Sequence, residues 1–199
     1  MSRPLRSAYP GGYFHVGTRG NNKQAIFLDG TDRYWFLEML GKAVVRYEWS
    51  VYSYCLMTNH YHAVLQIPEG GLSEGMCELN GGYARWSNIR HGRCDHLFGR
   101  RFSSREITTE EYLLEACRYV VLNPVRAGLV ERPEQWSWSS YRACAGLEYP
   151  LPWFAPKTLL QLFSPRPPEA MERYRRFVER GLVEERPVPV PITEDEATR

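Results

Sequence analysis

The stretch Asn59-His60-Tyr61-His62-Ala63-Val64-Leu65-Gln66-Ile67 decides how this chain folds on paper. Tyr61, Ala63, Leu65 and Ile67 form one set, and His60, His62, Val64 and Gln66 alternate with them. A period of two marks a β-strand with one face on a core, so the apolar set turns toward packed helices and both imidazoles turn away from them. Rise alone separates His60 from His62 by roughly 6.5–7 Å, a gap that two convergent imidazoles can close around one cation. Later in the chain Tyr119 and Asn123 stand four apart just before Pro124. A helix ending there carries the phenol and the amide on a shared face. Two histidines, an amide and a phenol point to a metal site facing a tyrosine nucleophile.

Outward from that strand, residues 49–57 form a second β-like run, joined to the first through Thr58-Asn59, which predicts a hairpin at the sheet centre. Residues 13–20 read as an earlier strand, with Phe14 and Val16 alternating against His15 and Gly17. Between these strands, residues 29–47 have helical spacing, with Trp35, Phe36, Met39, Leu40, Ala43 and Val44 as the stripe and Asp29 or Thr31 as the cap. Residues 73–89 read as a second helix through Met76, Leu79, Tyr83 and Trp86. Gly81-Gly82 inside it costs roughly 1 kcal/mol per glycine relative to alanine, and such glycines permit close backbone approach. Residues 97–107 read as a strand carrying arginines, and Thr108 or Thr109 opens a third helix that runs to Asn123.

The order β-α-β-β-α-β-α predicts an α+β protein, a ferredoxin-like split-βαβ antiparallel sheet with helices on one face. Residues 1–145 make the main domain, with 136–141 wrapping its core as a short helix or turn. Residues 146–183 are expected to form a C-terminal helical extension packed on it, including a helix over 169–182, and 184–199 a flexible, acidic, proline-rich tail.

Composition narrows the function. The 199 residues are 43% hydrophobic and 14% aromatic, which is globular rather than disordered. The formal net charge is only +2, yet residues 184–199 carry −3, leaving +5 for the rest. Arg85, Arg90, Arg93, Arg100, Arg101 and Arg105 are opposed over 85–105 only by Asp95, a cluster suited to phosphates and equally to a solvated surface. An acidic tail lying over such a basic cleft would compete with DNA. Cys55, Cys77, Cys94, Cys117 and Cys144 are odd in number and lack a C-x-x-C pair, which argues against a disulfide framework and a zinc finger. With no apolar signal core after Met1 and no run approaching the ~20 residues of a membrane span, a cytoplasmic protein without membrane contact is expected.

These stretches also resemble a known family. Phe14-His15-Val16 with Arg19-Gly20-Asn21-Asn22, Tyr54-Cys55-Leu56-Met57-Thr58-Asn59-His60-Tyr61-His62, Tyr83-Ala84-Arg85, His96-Leu97-Phe98 with Arg101-Phe102, Tyr119 through Val130, and Trp138-Ser139-Ser140-Tyr141 are similar to motifs of the REP-associated tyrosine transposases. Those are HUH single-tyrosine nucleases related to bacterial insertion-sequence transposases. The resemblance spans about residues 10–145, as read from the motifs just quoted. Thr58 stands where many relatives have proline, residues vary around Gly99-Arg100-Arg101, and Tyr61 is aromatic where an aliphatic residue is usual.

The resemblance implies a metal-dependent single-stranded DNA endonuclease and transposase that cleaves near a hairpin through a 5′-phosphotyrosine. Tyr119 would be the nucleophile, with His60, His62 and the Asn123 carboxamide holding Mg²⁺ or Mn²⁺. Arg19, Lys23, Arg85, Arg100, Arg101, Arg105, Arg118 and Arg126 are the candidates for DNA contact, in a monomer or homodimer. Two other readings stay open at this point. One is a metal-dependent small-molecule hydrolase, and the other a non-catalytic nucleic-acid-binding module on the same sheet.

Overall fold

The structure, a computed structural model, describes residues 10–183. Four antiparallel strands, β1 (Gly12–Arg19), β2 (Ser50–Leu56), β3 (His60–Ile67) and β4 (Ser103–Ile107), lie in the order β2-β3-β1-β4. Helices α1 (Gly30–Arg46) and α2 (Leu72–His91) complete the split-βαβ unit, followed by α3 (Glu110–Arg126), short α4 (Tyr141–Cys144) and α5 (Lys157–Leu160), and α6 (Pro167–Arg180). This is the α+β, ferredoxin-like arrangement that the alternation predicts.

β3 is the hub because its apolar set faces α1 and α2. Tyr61 is buried, its ring 4.5 Å from that of Phe36 on α1, and its hydroxyl donates to Asn80 Oδ1 on α2 at 2.8 Å. The aromatic residue at this position therefore fills the core and satisfies its own hydroxyl. The opposite face receives α3. Ser53 Oγ on β2 donates to the Cys117 carbonyl at 3.3 Å, and Leu113, Ala116, Cys117, Val120 and Val121 are buried along that helix.

α3 begins at Thr109, whose hydroxyl accepts from Tyr112 N at 3.1 Å. It does not stop at Asn123 as the proline suggests, but continues through Pro124 to Arg126. Gly128, at φ +67°, then ends it: its N–H reaches the Val125 carbonyl and that of Leu129 the Pro124 carbonyl, both at 2.9 Å. This left-handed closure gathers the last carbonyls, so the helix needs no earlier stop. The strand expected over 97–107 is shorter, because residues 97–102 form a loop that meets the end of β1 through the Gly20–Phe98 bridge, where Gly99 N donates to Arg19 O at 3.2 Å. Residues 138–140 run along the outer edge of β2, with Leu56 N donating to Trp138 O at 2.9 Å and Ser140 N to Tyr54 O at 3.0 Å, which shields an edge that would otherwise template pairing. All five cysteines are free thiols. The acidic tail and the first nine residues lie outside the described residues.

A charged clamp joins the two helices behind the sheet. Asp29 caps α1, and the fully buried Asp32 carboxylate accepts from Leu28 N at 2.7 Å, from His91 at 2.9 Å and from Arg90. Arg90 also grips Asp29 at 2.8 Å, so this arginine of the basic cluster is spent on the fold. Asp32→Ala is expected to cost about 2 kcal/mol, because a buried charge network loses its centre while Arg90 keeps Asp29. Urea midpoints of the two proteins check it.

Candidate active site

Antiparallel register brings the site together. Arg19 stands opposite His60, Gly17 opposite His62 and His15 opposite Val64, while Arg105 of β4 stands opposite His15. Directly opposed residues share a face, so His15, Arg19, His60, His62 and Arg105 point the same way. Gly17 contributes no side chain between them. The His60 and His62 rings lie 5.0 Å apart, closer than backbone rise alone gives. From above, α3 lowers Tyr119 onto this surface, its ring 5.8 Å from His62 and 5.9 Å from His15.

Both histidines are held by partners. His60 Nδ1 lies 2.7 Å from Asn59 Oδ1, and Asn59 Nδ2 donates to the Lys23 carbonyl at 2.9 Å. The carboxamide oxygen can only accept, so His60 carries its proton on Nδ1 and leaves the Nε2 lone pair available. His62 Nδ1 lies 3.1 Å from His15 Nε2. A ligand-competent His62 donates from Nδ1 to His15, which makes His15 the residue that sets the tautomer of His62.

Burial first, with Arg105 adding to it, drives His15 down to about 4, and burial with Arg19 drives His60 to about 4. His62 is pushed down by burial and by its two imidazole neighbours and Arg19. All three rings are therefore neutral near pH 7, the form that can ligate a metal. Burial raises the Tyr119 phenol, and the Asn123 carboxamide, Arg126 and Arg19 pull it back. The Arg126 guanidinium sits 5.2 Å above the Tyr119 ring centre, and Asn123 Nδ2 donates to the Tyr119 carbonyl at 3.0 Å. That bond turns the amide back along the helix, so Asn123 is held beside Tyr119 on the helix that faces both histidines. Two imidazoles and one carboxamide oxygen are a donor set that would fit a divalent cation. Among the described residues no group of three His, Cys, Asp or Glu side chains could hold a metal by itself.

The predicted basic residues divide. Arg19, Arg105 and Arg126 surround the histidines and the phenol. Lys23 lies in a short turn behind Asn59, with its side chain exposed. Arg85, Arg100 and Arg101 line a cavity on the α2 side of the sheet. Arg118 is a correction: it is 3% exposed, donates to Glu115 at 2.6 Å and lies 4.6 Å from the Phe177 ring centre on α6. One position from Tyr119 is about 100° around a helix, which turns Arg118 away from the site. Two contributors were missed from sequence, His15 and Asn59. Alternation put His15 on the open face, but its pairing with His62 depends on strand register.

Tyr119 is thus set over His15 and His62 on a ferredoxin-like sheet. The model of the IS200-like transposases matches residues 9–123, more than half of the chain, and the chain belongs to that family. Among solved structures it is similar to a REP-associated tyrosine transposase bound to a REP hairpin, with a TM-score of 0.63 and 21% identity over 78% of this chain and 92% of that one. Weaker likenesses are a candidate transposase from Deinococcus radiodurans R1 (TM-score 0.42, 12% identity, 60% and 95% covered) and a tRNA(His) guanylyltransferase from Saccharomyces cerevisiae (0.47, 11%, 86% and 79%). The chain matches no curated protein sequence. No helix among the described residues is long and apolar enough to cross a membrane.

Proposed function

We propose that this protein cleaves and rejoins single-stranded DNA beside a hairpin through a covalent 5′-phosphotyrosine at Tyr119. The observation that carries the reading is the convergence of Tyr119 and His62, rings 5.8 Å apart, with His60 fixed by Asn59 in the tautomer that can ligate. His60, His62 and the Asn123 carboxamide would hold Mg²⁺ or Mn²⁺. Such an ion, when bound, supplies charge withdrawal from the scissile phosphate and aligns it. Tyr119 Oη attacks phosphorus as the P–O3′ bond breaks, leaving a free 3′-hydroxyl and a phosphotyrosine on the downstream 5′ end. Arg126 and Arg19, which favour the phenolate, lower the cost of losing the phenolic proton. Attack by a 3′-hydroxyl on the phosphotyrosine reverses the step and joins strands. Arg19, Arg105 and Arg126 would hold the phosphates on either side, and Lys23, Arg85, Arg100 and Arg101 phosphates farther away. The hairpin partner is supported by the relative that was solved on one.

The test uses a 3′-labelled single-stranded oligonucleotide with a hairpin drawn from the protein's own genomic neighbourhood. Incubation with Mn²⁺ is expected to give a labelled protein band that survives denaturing electrophoresis. Chelation by EDTA is expected to abolish it. Failure to form the band with Mn²⁺ or Mg²⁺ overturns the proposal.

A further inference from the structure

The tautomer of His60 is chosen from outside the site. His60 Nδ1 lies 2.7 Å from Asn59 Oδ1, and Asn59 Nδ2 lies 2.9 Å from the Lys23 carbonyl oxygen. A carboxamide has two ends of similar shape, one that accepts and one that donates. Turned as it stands, it accepts from His60 Nδ1–H and leaves Nε2 with a lone pair. Turned over, its NH₂ group would donate to His60 Nδ1, the ring proton would move to Nε2, and that nitrogen could not ligate. The Asn59–Lys23 contact lies at the surface, where water would tolerate either orientation. The Lys23 carbonyl does not, because it can only accept, and the overturned amide would set two oxygens against each other.

The backbone that presents this carbonyl is strained. Asn22 and Lys23 are consecutive left-handed residues, at φ +50° and +60°. Asparagine is at ease there, whereas lysine has no short polar side chain to offset the clash of its Cβ. The turn is nevertheless pinned. Lys23 N donates to Gly20 O at 3.1 Å, Gln24 N to Asn21 O at 2.9 Å and Asn21 N to Leu97 O at 2.9 Å. A Cβ on Gly20 would stand 2.1 Å from Gln24 O, so the chain passes itself here as closely as glycine permits. Strain that its surroundings hold in place is a mark of use, and what this strain delivers is one carbonyl aimed at Asn59.

We propose that Lys23 is a positioning residue for His60: the carbonyl of its left-handed turn orients the Asn59 carboxamide, which keeps the proton on Nδ1 and Nε2 free to ligate. Lys23 does this through its main chain, separately from any contact of its ammonium with DNA. The inference rests on the reading of His60 and His62 as metal ligands and deepens it, since the integrity of that pair then depends on a turn between β1 and α1.

The test compares Lys23→Gly with Lys23→Val in the full chain. Both remove the ammonium, so they differ only in backbone preference: glycine keeps the left-handed turn and β-branched valine resists it. In metal-free protein carrying ¹⁵N-histidine, the ring nitrogens of His60 are assigned by their loss in His60→Gln. They are expected to show Nδ1 protonated in the wild type and in Lys23→Gly, and mainly Nε2 protonated in Lys23→Val. Mn²⁺ affinity, read from the paramagnetic resonance signal of the free ion, is expected to be about tenfold weaker for Lys23→Val than for Lys23→Gly. Asn59→Asp separates positioning from a structural role. Both carboxylate oxygens accept, so in that background valine at position 23 is expected to cost no Mn²⁺ affinity. Lys23→Ala makes the same comparison with a smaller backbone penalty if Lys23→Val fails to fold. A wild-type His60 protonated on Nε2, equal tautomers and affinities in the glycine and valine proteins, or a valine loss of the same size beside Asn59→Asp overturns the role of Lys23. The expected tautomers with neither Mn²⁺ binding nor a Tyr119 adduct would instead overturn the metal reading and leave the positioning of His60 standing.

Discussion

Tyr119→Phe is expected to reduce the covalent protein–DNA adduct on the order of 10³-fold or more while hairpin affinity stays within about twofold of wild type. The substitution is clean for a physical reason. Phenylalanine keeps the ring that packs 5.9 Å from His15 and 5.8 Å from His62, and it keeps the face over which Arg126 lies at 5.2 Å. Only Oη is lost, and with it the interaction with the Asn123 carboxamide, while the ring packing is kept. A nucleophile cannot be replaced by its neighbours here: Cys117 on the same helix is fully buried, its thiol pushed up by burial. Water could still attack an aligned phosphate, but it would release free product and no labelled band. Denaturing electrophoresis measures the adduct and anisotropy the affinity; a labelled band from the phenylalanine protein would move the nucleophile to another residue.

How much of this was legible in the sequence follows from which interactions are local. The His60–Ile67 strand was readable to the residue, because its alternation is a property of consecutive positions. The caps were narrowed locally to Asp29 or Thr31 and to Thr108 or Thr109, and the backbone N–H groups that select Asp29 and Thr109 are set by the helices themselves. The end of α3 was not: Pro124 signals a stop, and only the closure at Gly128 shows why the helix continues. Arg118 was misread because charge was counted along the chain, whereas its direction is set by the helix turn that carries Tyr119 to the sheet. His15 and Asn59 were within view but unassigned. The first depends on β1–β3 register and the second on an amide anchored to Lys23, and both are tertiary facts.

The three neutral imidazoles make a second large effect. With divalent ions chelated, stability is expected to fall steeply between pH 7 and pH 5. An unfolded histidine titrates near 6.5, whereas burial and Arg105 hold folded His15 at about 4. Between those values the unfolded chain binds more protons than the native one, so stability declines as pH falls from 6.5 toward 4 and this group adds no further loss below that. His15 alone accounts for about 2 kcal/mol between pH 7 and pH 5. His60, also held at about 4, and His62 act in the same direction. Carboxylates do not confuse the window, since those held low by partners, such as Asp29 beside Arg90, stay ionised throughout it. The groups facing His15 are Arg105 from β4, His62 from β3 and Tyr119 from α3, and none of them supplies a negative charge that would stabilise a protonated ring. His15→Phe removes one titrating group while retaining a ring of similar size. It is expected to be less stable at pH 7, because His62 loses its partner, yet to show a shallower decline toward pH 5. Urea midpoints for both proteins at the two pH values decide the matter: parallel declines would mean that His15 is not the buried neutral group that this geometry makes it.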